Sequence, residues 1–236
     1  MFKRDLIVIP TYKEELNVNI IYKRIRHNNS KSDILFIDDN SPDKTAQEIK
    51  KIVKIDNKVF ILQRKKKLGI GSAHKDGFQW AIERKYNIVT TIDADLSHDP
   101  ELIPNMIKNL NKYDIVLTGR FLRKDTLEDW PLIRKLITIS RHIVVKILLG
   151  IPYDTSGAFR AYNLEKVRIA DLLKAKDNGY SFFWESLYFL YKKNYKILEI
   201  PMKIPKRIHG SSKLRFKDII RAITYLIYFY FKQKFK

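Results

Sequence analysis

Apolar runs and amphipathic stripes alternate along the first half of the chain. The run "DLIVIP" at residues 5–10 is short and strongly apolar, and residues 14–27 then carry apolar side chains at helical spacing. The pattern repeats with "DILFIDD", "KVFILQR" and "NIVTTID" as strands, separated by two further helical segments. This alternation predicts an α/β fold with a mostly parallel central sheet and helices on both faces.

Polar and acidic residues stand where these predicted strands end. Tyr12 and Glu14 follow the first strand, Asp39 closes the second, and Asp93 and Asp95 end the fourth. The carboxyl ends of parallel strands meet at one edge of a sheet, and ligands bind in the crevice outside that edge. We therefore expect these side chains to share one ligand site.

The pair Asp93 and Asp95 predicts a divalent metal. Side chains two positions apart in an extended chain point the same way, so both carboxylates can face the crevice. Hard oxygen ligands suit Mg²⁺ or Mn²⁺, and Mg²⁺ is usually held by one or two carboxylates together with substrate phosphates. The expected ligand is a nucleoside diphosphate compound, although two acids at this spacing are also common on solvated loops.

Length and composition predict one folded domain spanning residues 1–236. The chain is 45% hydrophobic and has no cysteine, which excludes disulfides and thiolate metal sites. The first strand has too few apolar residues before Pro10 to be a signal peptide, so a cytoplasmic location is expected. The sequence contains neither a P-loop nor a dinucleotide-binding glycine fingerprint, which argues against kinase-like and oxidoreductase functions.

The net charge of +20 predicts a polyanionic partner. Nucleic acid, an anionic membrane surface and a phosphorylated substrate would all fit, and a compositional bias towards Lys, Ile and Asn is the alternative explanation. Nucleic acid is not expected, because no nucleic-acid-binding module is recognisable and acids at successive strand ends would repel phosphate in the absence of a metal ion.

A set of motifs in fixed order then identifies a family. "IPTYKEELNV", "FIDDNSPDKT", "GIGSAHKDGF", "TIDADLSHDPE", "TGR" and "RIHGSSK" together resemble glycosyltransferase family 2 and, within it, the polyprenol-phosphate (dolichol-phosphate) mannose synthases. The resemblance implies a GT-A fold, a divalent cation and inversion at the anomeric carbon. It also implies a nucleotide-sugar donor, GDP-mannose being favoured, and a polyprenyl or dolichyl phosphate acceptor.

By this resemblance, the nucleoside of the donor is held by Pro10, Tyr12, Glu14, Ile37 and Asp39. Two departures from the family pattern leave the donor base open. Lys13 stands where Asn is common, and Ser211 stands where the last motif usually has Glu. A UDP-sugar such as UDP-glucose, with a polyprenyl phosphate or a glycan as acceptor, is therefore the alternative donor.

The resemblance also assigns the diphosphate end of the donor. Asp93, Ala94 and Asp95 would bind the metal and the diphosphate, with Asp95 catalytic and Ser97 a further metal ligand. Arg207 and Lys213 flank the short loop "IHGSS" and would offset charge on the leaving group.

Arginines are expected on the acceptor side. A sugar hydroxyl must lose a proton to a general base, whereas a lipid monophosphate is already anionic near neutral pH. By resemblance, Arg120 and Arg134 are catalytic residues that bind the acceptor phosphate, for which a guanidinium has the matching planar geometry.

Smaller roles on the acceptor side stay open. Thr138 or Ser140 could add a hydroxyl to the phosphate site. Asp154 is the general-base candidate if the acceptor is a hydroxyl, and a cap of the turn before Ser156 is its alternative role.

Two segments suggest a membrane surface. Residues 131–150 mix Leu and Ile with four basic residues, as in an interfacial helix or a core helix with a charged outer face. Residues 214–236 predict an amphipathic helix whose longest uncharged run, residues 222–231, is half of the roughly 20 residues needed to span a bilayer. We expect peripheral association with the cytoplasmic face of a membrane or with a membrane-protein subunit. A non-catalytic membrane-associated scaffold is the alternative outside enzymes.

Overall fold

The computed structural model describes residues 3–127, 130–204 and 216–235, with side chains except at Lys124, Arg134 and residues 216–219. Two of the expected site residues, Arg207 and Lys213, lie outside the described residues. Arg134 is described by its backbone alone.

One seven-stranded sheet runs through the described residues in the order β3-β2-β1-β4-β6-β5-β7. Its strands are β1 (Asp5–Thr11), β2 (Asp33–Asp38), β3 (Val59–Gln63), β4 (Ile88–Thr91), β5 (Ile115–Gly119), β6 (Arg160–Asn163) and β7 (Ile197–Pro201). Strand β6 is antiparallel to β4 and β5, and the other strand pairs are parallel. The mostly parallel sheet is confirmed, and the antiparallel strand in the second half is new.

Helices cover both faces of this sheet, as predicted. They are α1 (Val18–Asn28), α2 (Thr45–Ile55), α3 (Ile70–Glu83), α4 (Ile103–Asn109), α5 (Leu132–Leu149), α6 (Ile169–Leu172), α7 (Phe182–Lys192) and α8 (Phe216–Lys234). Successive residues of β1 belong to different cores, because Leu6 and Val8 pack with α3, α5, α7 and α8 while Ile7 and Ile9 pack with α1, α2 and α4.

Close packing of α3 on the sheet depends on a glycine. A Cβ atom at Gly77 would collide with the side chain of Val8 and press on Ile37. The helix therefore lies directly on β1 and β2, and its first residue, Ile70, follows the loop after β3 at the carboxyl edge of the sheet. This packing fixes the end of α3 that borders the ligand site.

Helix α5 has an apolar outer surface. Its inner side is anchored by buried Val145 and Leu149. Its exposed apolar residues, here called the α5 apolar surface, are Leu132, Ile133, Leu136, Ile137, Ile139, Ile143, Val144 and Ile147. A core helix with a charged outer face, one of the two alternatives from the sequence, does not describe this arrangement.

Helix α8 contacts α5 and exposes Ile220, Ile223, Ile227, Tyr228 and Phe231. Its buried side, with Leu226 and Phe229, packs on Trp184 and Tyr188 of α7. In the described ranges, no helix combines the length and the hydropathy that crossing a bilayer requires.

Candidate active site

The carboxyl ends of β1, β2 and β4 lie side by side, because β1 is central and pairs with both neighbours in parallel register. Thr11 pairs with Asp38, and Val8 pairs with Thr91. The loops that carry Tyr12, Asp39 and Asp93 therefore begin at one edge of the sheet, as the sequence predicts.

The loop after β4 turns the two central acids outward. Ala94 and Leu96 are buried, whereas Asp93, Asp95 and Ser97 are half-buried and alternate with them. The chain turns at Leu96, whose φ of 63° lies in the left-handed region. One oxygen of Asp95 accepts hydrogen bonds from the Ser97 amide at 3.1 Å and from its hydroxyl at 2.5 Å. The turn thus holds Asp95 and Ser97 together.

The acid at position 99 has a different environment. Asp99 pairs with Arg24 of α1 at 3.1 Å and accepts a hydrogen bond from the Glu101 amide, capping a short 3₁₀ helix. Asp93 instead lies beside His98, whose Nδ1 is 3.8 Å from a carboxylate oxygen of Asp93 and accepts its amide hydrogen bond at 3.2 Å. Asp99 therefore has a role in the fold, and the metal-binding roles of Asp93 and Asp95 stay predictions.

The donor atoms at this turn suit a hard divalent cation. Asp93, Asp95 and Ser97 present carboxylate and hydroxyl oxygens, which is the ligand type that Mg²⁺ and Mn²⁺ prefer. No group of three or more His, Asp or Glu side chains forms a metal cage within the described part of the chain. A cation here would take its remaining ligands from donor phosphates and water, and these residues fit that role.

Asp39 is occupied by the protein itself. It is 4% exposed, and its carboxylate accepts hydrogen bonds from the amides of Leu68 and Gly69 at 2.8 and 2.9 Å. Arg64 forms an ion pair with it at 2.9 Å. The side chain predicted to hold the nucleoside thus fixes residues 64–69, here called the donor loop.

Two further contacts make the donor loop rigid. Arg64 is buried and also bonds Ser72 and Asp76 of α3, the latter at 3.0 Å. Gly69 has a φ of 101°, and a Cβ atom there would collide with the carbonyl of Asn178. A residue with a side chain is therefore excluded at position 69 on two grounds.

The donor loop places a cation on Tyr12. The Nζ atom of Lys67 lies 3.5 Å from the centroid of the half-buried Tyr12 ring. Lys67 is exposed and lies outside the sequence motifs that predict the site. Its contact could not be foreseen, because the two residues meet only when the loops after β1 and β3 fold to the same edge.

Three other residues predicted to hold the nucleoside lie at or near this edge. Pro10 is partly buried in β1, and the Ile37 side chain is completely buried in the core. Glu14 is 8% exposed and accepts a hydrogen bond from Asn17 at 2.6 Å. The structure places all three, and their binding roles stay predictions.

On the acceptor side, Arg120 and Asp154 form a buried pair. Arg120 Nε donates to Asp154 at 2.8 Å, and Arg120 Nη2 donates to the Ser156 hydroxyl at 2.5 Å. Asp154 also accepts from the Ser156 amide and hydroxyl at 3.0 and 2.6 Å. The cap of the turn before Ser156, one of the two roles predicted for Asp154, is therefore present.

This environment makes Asp154 a poor base. Its side chain is 2% exposed. Burial by itself would raise the pKa of Asp154, but the Arg120 guanidinium and the Ser156 hydrogen bonds outweigh it and lower that pKa to about 2. A carboxylate that binds protons so weakly cannot efficiently deprotonate a sugar hydroxyl.

Glu199 of β7 supports the pair from behind. It accepts a hydrogen bond from the Asp154 amide at 2.7 Å, and burial raises its pKa. The space that Glu199 fills exists because Gly119 has no Cβ atom, which would otherwise collide with the Glu199 side chain. The glycine of "TGR" thus permits the packing that positions Arg120.

Helix α5 borders this pair. Thr138 and His142 are half-buried on its inner side, whereas Ser140 is exposed and donates to the Ile137 carbonyl. Of the two hydroxyls considered from the sequence, Thr138 therefore lies on the side of α5 that faces the protein, and the role of either hydroxyl stays a prediction. His142, which the sequence analysis did not single out, stacks on Phe121 with ring centroids 4.0 Å apart.

Comparison with known proteins agrees with this architecture. A model described as Glycosyl transferase family 2 matches residues 6–169. The chain belongs to glycosyl transferase family 2. It is 32% identical over 212 residues to an undecaprenyl-phosphate mannosyltransferase of Micrococcus luteus, covering 89% of this chain and 87% of the relative. It is 29% identical over 224 residues to a polyprenol monophosphomannose synthase of Mycolicibacterium smegmatis, covering 94% and 84%.

Solved structures confirm the GT-A fold of this family 2 glycosyltransferase. Glucosyl-3-phosphoglycerate synthase from Mycobacterium tuberculosis in complex with UDP superposes with a TM-score of 0.67 at 16% identity, covering 95% of this chain and 79% of that chain. The same enzyme with Mn²⁺, UDP and glucosyl-3-phosphoglycerate gives a TM-score of 0.64 at 17% identity, covering 95% and 77%. Within the family, this chain is an enzyme of the glycosyltransferase class.

Proposed function

We propose that this protein transfers mannose, with inversion, from GDP-mannose to a polyprenyl monophosphate in a reaction that requires Mg²⁺ or Mn²⁺. Both relatives described above are named for mannose and a polyprenyl phosphate. The proposed reaction takes place on the cytoplasmic face of a membrane, where the lipid acceptor lies.

The buried pair of Arg120 and Asp154 is the observation that carries the acceptor assignment. A hydroxyl acceptor would need a carboxylate free to take a proton, and Asp154 is tied to Arg120 and Ser156. A phosphate acceptor needs cations and no base, because its oxygen is already anionic. The described residues offer no hydrogen-bond partner to Arg120 Nη1, which leaves that donor for an acceptor phosphate.

On the donor side, Asp93, Asp95 and Ser97 would hold the metal ion. When bound, the ion would neutralise the donor diphosphate and stabilise it as a leaving group. Tyr12 and the donor loop held by Asp39 border the proposed nucleoside position. Arg207 and Lys213 are proposed to cover the diphosphate, by resemblance alone.

The chemical step is a direct displacement at the anomeric carbon. An oxygen of the acceptor phosphate forms the new bond to that carbon while its bond to the donor diphosphate breaks, and the released product is GDP. Arg120 and Arg134 would orient the attacking phosphate, so that catalysis consists mainly of positioning and charge compensation. Because no proton has to be removed from the acceptor, the site needs no general base.

The lipid chain would lie along the α5 apolar surface. This surface and the exposed apolar residues of α8 belong to two helices in contact, and Lys232 and Lys234 follow at the end of α8. Apolar residues beside basic ones suit an interface with anionic lipid, where each basic residue contributes about 1 kcal/mol. We propose that both helices rest on the membrane, so that the prenyl phosphate reaches Arg120 from the lipid side.

A UDP-sugar donor is the second candidate. The glucosyl-3-phosphoglycerate synthase structures contain UDP, and the last of the matched motifs differs from the usual family pattern at Ser211. Donor identity therefore has to be tested together with the acceptor.

The test supplies radiolabelled GDP-mannose or UDP-glucose to the full chain with a short polyprenyl phosphate and Mn²⁺ or Mg²⁺, and counts label in the organic phase. Label from GDP-mannose alone, abolished by a chelator, is the expected result. Label from UDP-glucose alone would overturn the donor assignment. An absence of label from both donors would overturn the acceptor assignment.

A further inference from the structure

One titratable side chain beside the Arg120 and Asp154 pair has no role in the reaction described so far. His142 is half-buried on α5, and its ring lies nearly parallel to that of Phe121, with an interplanar angle of 24°. Phe121 directly follows Arg120, and the charges of Arg120 and Asp154 both act on the imidazole that Phe121 holds. The ring therefore has a defined position at the acceptor site.

The place of His142 along α5 is also informative. The inner side of this helix carries Lys135, Thr138 and His142 in its first half and buried Val145 and Leu149 in its second half. On this inner side, His142 is thus the last polar residue before the buried Val145 and Leu149. A ligand lying between α5 and the end of β5 would meet the imidazole at the inner end of its polar region.

The charges around His142 leave room for an anion. Among the described side chains, the charges that act most strongly on it are Asp154 before β6, Arg120 after β5, and Arg141 and Lys146 on α5. These are three cations and one carboxylate, and Asp154 already neutralises Arg120. Net positive charge beside a neutral imidazole favours a bound phosphate.

His142 can respond to such an anion. Burial, and to a smaller extent the cations Lys146, Arg120 and Arg141, lower the pKa of His142 below its ordinary value of 6.5, while Asp154 acts in the opposite direction. The imidazole is therefore neutral near pH 7 and can donate one ring N–H. An approaching phosphate would favour the protonated form, which donates from both ring nitrogens.

We propose that His142 is a further acceptor-binding residue, which donates a hydrogen bond to the lipid phosphate and takes up a proton from solvent as that phosphate binds. The inference rests on the proposed function and adds to it a pH-sensitive contact. His142 would act with Arg120 on the same phosphate, while Phe121 keeps the imidazole in place.

The test compares His142→Ala with the unaltered chain in transfer to a short polyprenyl phosphate between pH 6 and 8. At pH 7 we expect the KM for the lipid phosphate to rise about tenfold, the loss of one hydrogen bond to a charged group, with kcat little changed. The ratio of the two KM values should increase as the pH falls, because only the unaltered chain gains the imidazolium. The ionisation of the lipid phosphate affects both proteins and cancels in this ratio.

Two more variants separate binding from structure. His142→Gln keeps a hydrogen-bond donor that cannot titrate, so its KM should lie between those of His142→Ala and the unaltered chain. The ratio of its KM to that of the unaltered chain should still increase as the pH falls. His27→Ala, an exposed histidine in the last turn of α1, should leave both quantities unchanged. A KM ratio that does not vary with pH, or an unchanged KM in His142→Ala, would overturn the inference while leaving the transfer reaction in place.

An independent readout does not require turnover. Titration of the five histidines by NMR, with and without a short alkyl phosphate, should show one imidazole whose pKa rises on binding and whose signal is absent in His142→Ala. No shifted imidazole at saturating alkyl phosphate would contradict the inference. Failure of the proposed function would appear differently, as the absence of transfer from every donor.

Discussion

The two halves of the site are built from opposite chemistry. The donor half, at the ends of β1, β2 and β4, gathers carboxylates, and Asp39 there is buried and bonded within the protein. The acceptor half, between β5 and α5, gathers Arg120 and His142 beside an exposed apolar surface. One half is suited to a cation bound to a diphosphate, and the other is suited to a lipid phosphate.

This difference explains how a single site can bring two anions together. Under the proposed function, each substrate would be met by its own counter-charge, so neither would have to approach an uncompensated phosphate. In the described part of the acceptor half, the buried carboxylate of Asp154 is paired with Arg120 and is therefore a poor base. Substitutions in the donor half should therefore weaken donor binding, and substitutions in the acceptor half should raise the KM for the lipid phosphate.

The largest effect is expected from the donor half. Asp95→Asn should lower kcat about a thousandfold or more and remove metal-dependent GDP binding, because it deletes a charge that would hold the cation at the leaving group. Asp99→Asn is the matched control in the same loop, since Asp99 pairs with Arg24. Calorimetric titration with GDP and Mn²⁺ measures the effect, and unchanged metal-dependent binding in Asp95→Asn would remove Asp95 from the metal site.

The buried pair of the acceptor half gives a second, structural test. Arg120→Met should lower the free energy of unfolding by about 3 kcal/mol at pH 7, because it leaves Asp154 buried without its partner. The native pKa of Asp154, about 2, lies below the roughly 3.9 of an unfolded chain. The stability that the pair contributes is therefore present above about pH 4 and is lost as the pH falls through about 2.

Urea unfolding of the unaltered chain and of Arg120→Met at several pH values measures the difference in their free energies of unfolding. The gap in unfolding free energy should narrow between about pH 4 and 2, and adding Asp154→Asn to the Arg120→Met variant should recover part of the loss at pH 7. A gap that stays constant as the pH falls would show that the ion pair is not its cause.

The apolar surface of the acceptor half should govern membrane binding. Ile133→Asp together with Ile137→Asp should weaken binding to vesicles containing anionic lipid roughly 30-fold, because about 2 kcal/mol of apolar burial is lost. Vesicle sedimentation measures this, and donor binding should not change. Ile55→Asp replaces an isoleucine exposed on α2 and should have no effect, whereas equal loss in both variants would contradict a specific role for α5.

The smallest effect is expected at the contact between Lys67 and Tyr12. Lys67→Met should weaken GDP binding two- to fivefold, since an exposed cation on an aromatic ring contributes about 0.5 to 1 kcal/mol to fixing that ring. Lys66→Met, on the same loop, is the control. Stronger GDP binding in Lys67→Met would mean instead that the lysine competes with the base for the Tyr12 ring.

Periodicity predicted the parts of this molecule that depend on local sequence. The order of strands and helices up to β4, and the meeting of Tyr12, Asp39 and Asp93 at one edge, follow from apolar patterning and from the geometry of parallel strands. The antiparallel direction of β6 did not follow, because strand pairing in the second half depends on contacts distant in sequence.

Side-chain partnerships were the least predictable feature. Asp39 is predicted to hold the nucleoside, and only the fold shows that its carboxylate also bonds the amides of Leu68 and Gly69 and the Arg64 side chain. His142 had no local motif, because its partner Phe121 is on another element. The roles of Arg207 and Lys213 remain predictions from family resemblance.

The most direct test of the account compares two acceptors of equal chain length, farnesyl phosphate and farnesol, with labelled GDP-mannose and Mn²⁺. Label is expected in the phosphate and not in the alcohol, because Arg120 is proposed to bind a phosphate and its partner Asp154 is too weak a base to deprotonate a hydroxyl. Label in farnesol at a comparable rate would contradict the proposed phosphate acceptor and would require a general base at the site, either a carboxylate or the neutral imidazole of His142.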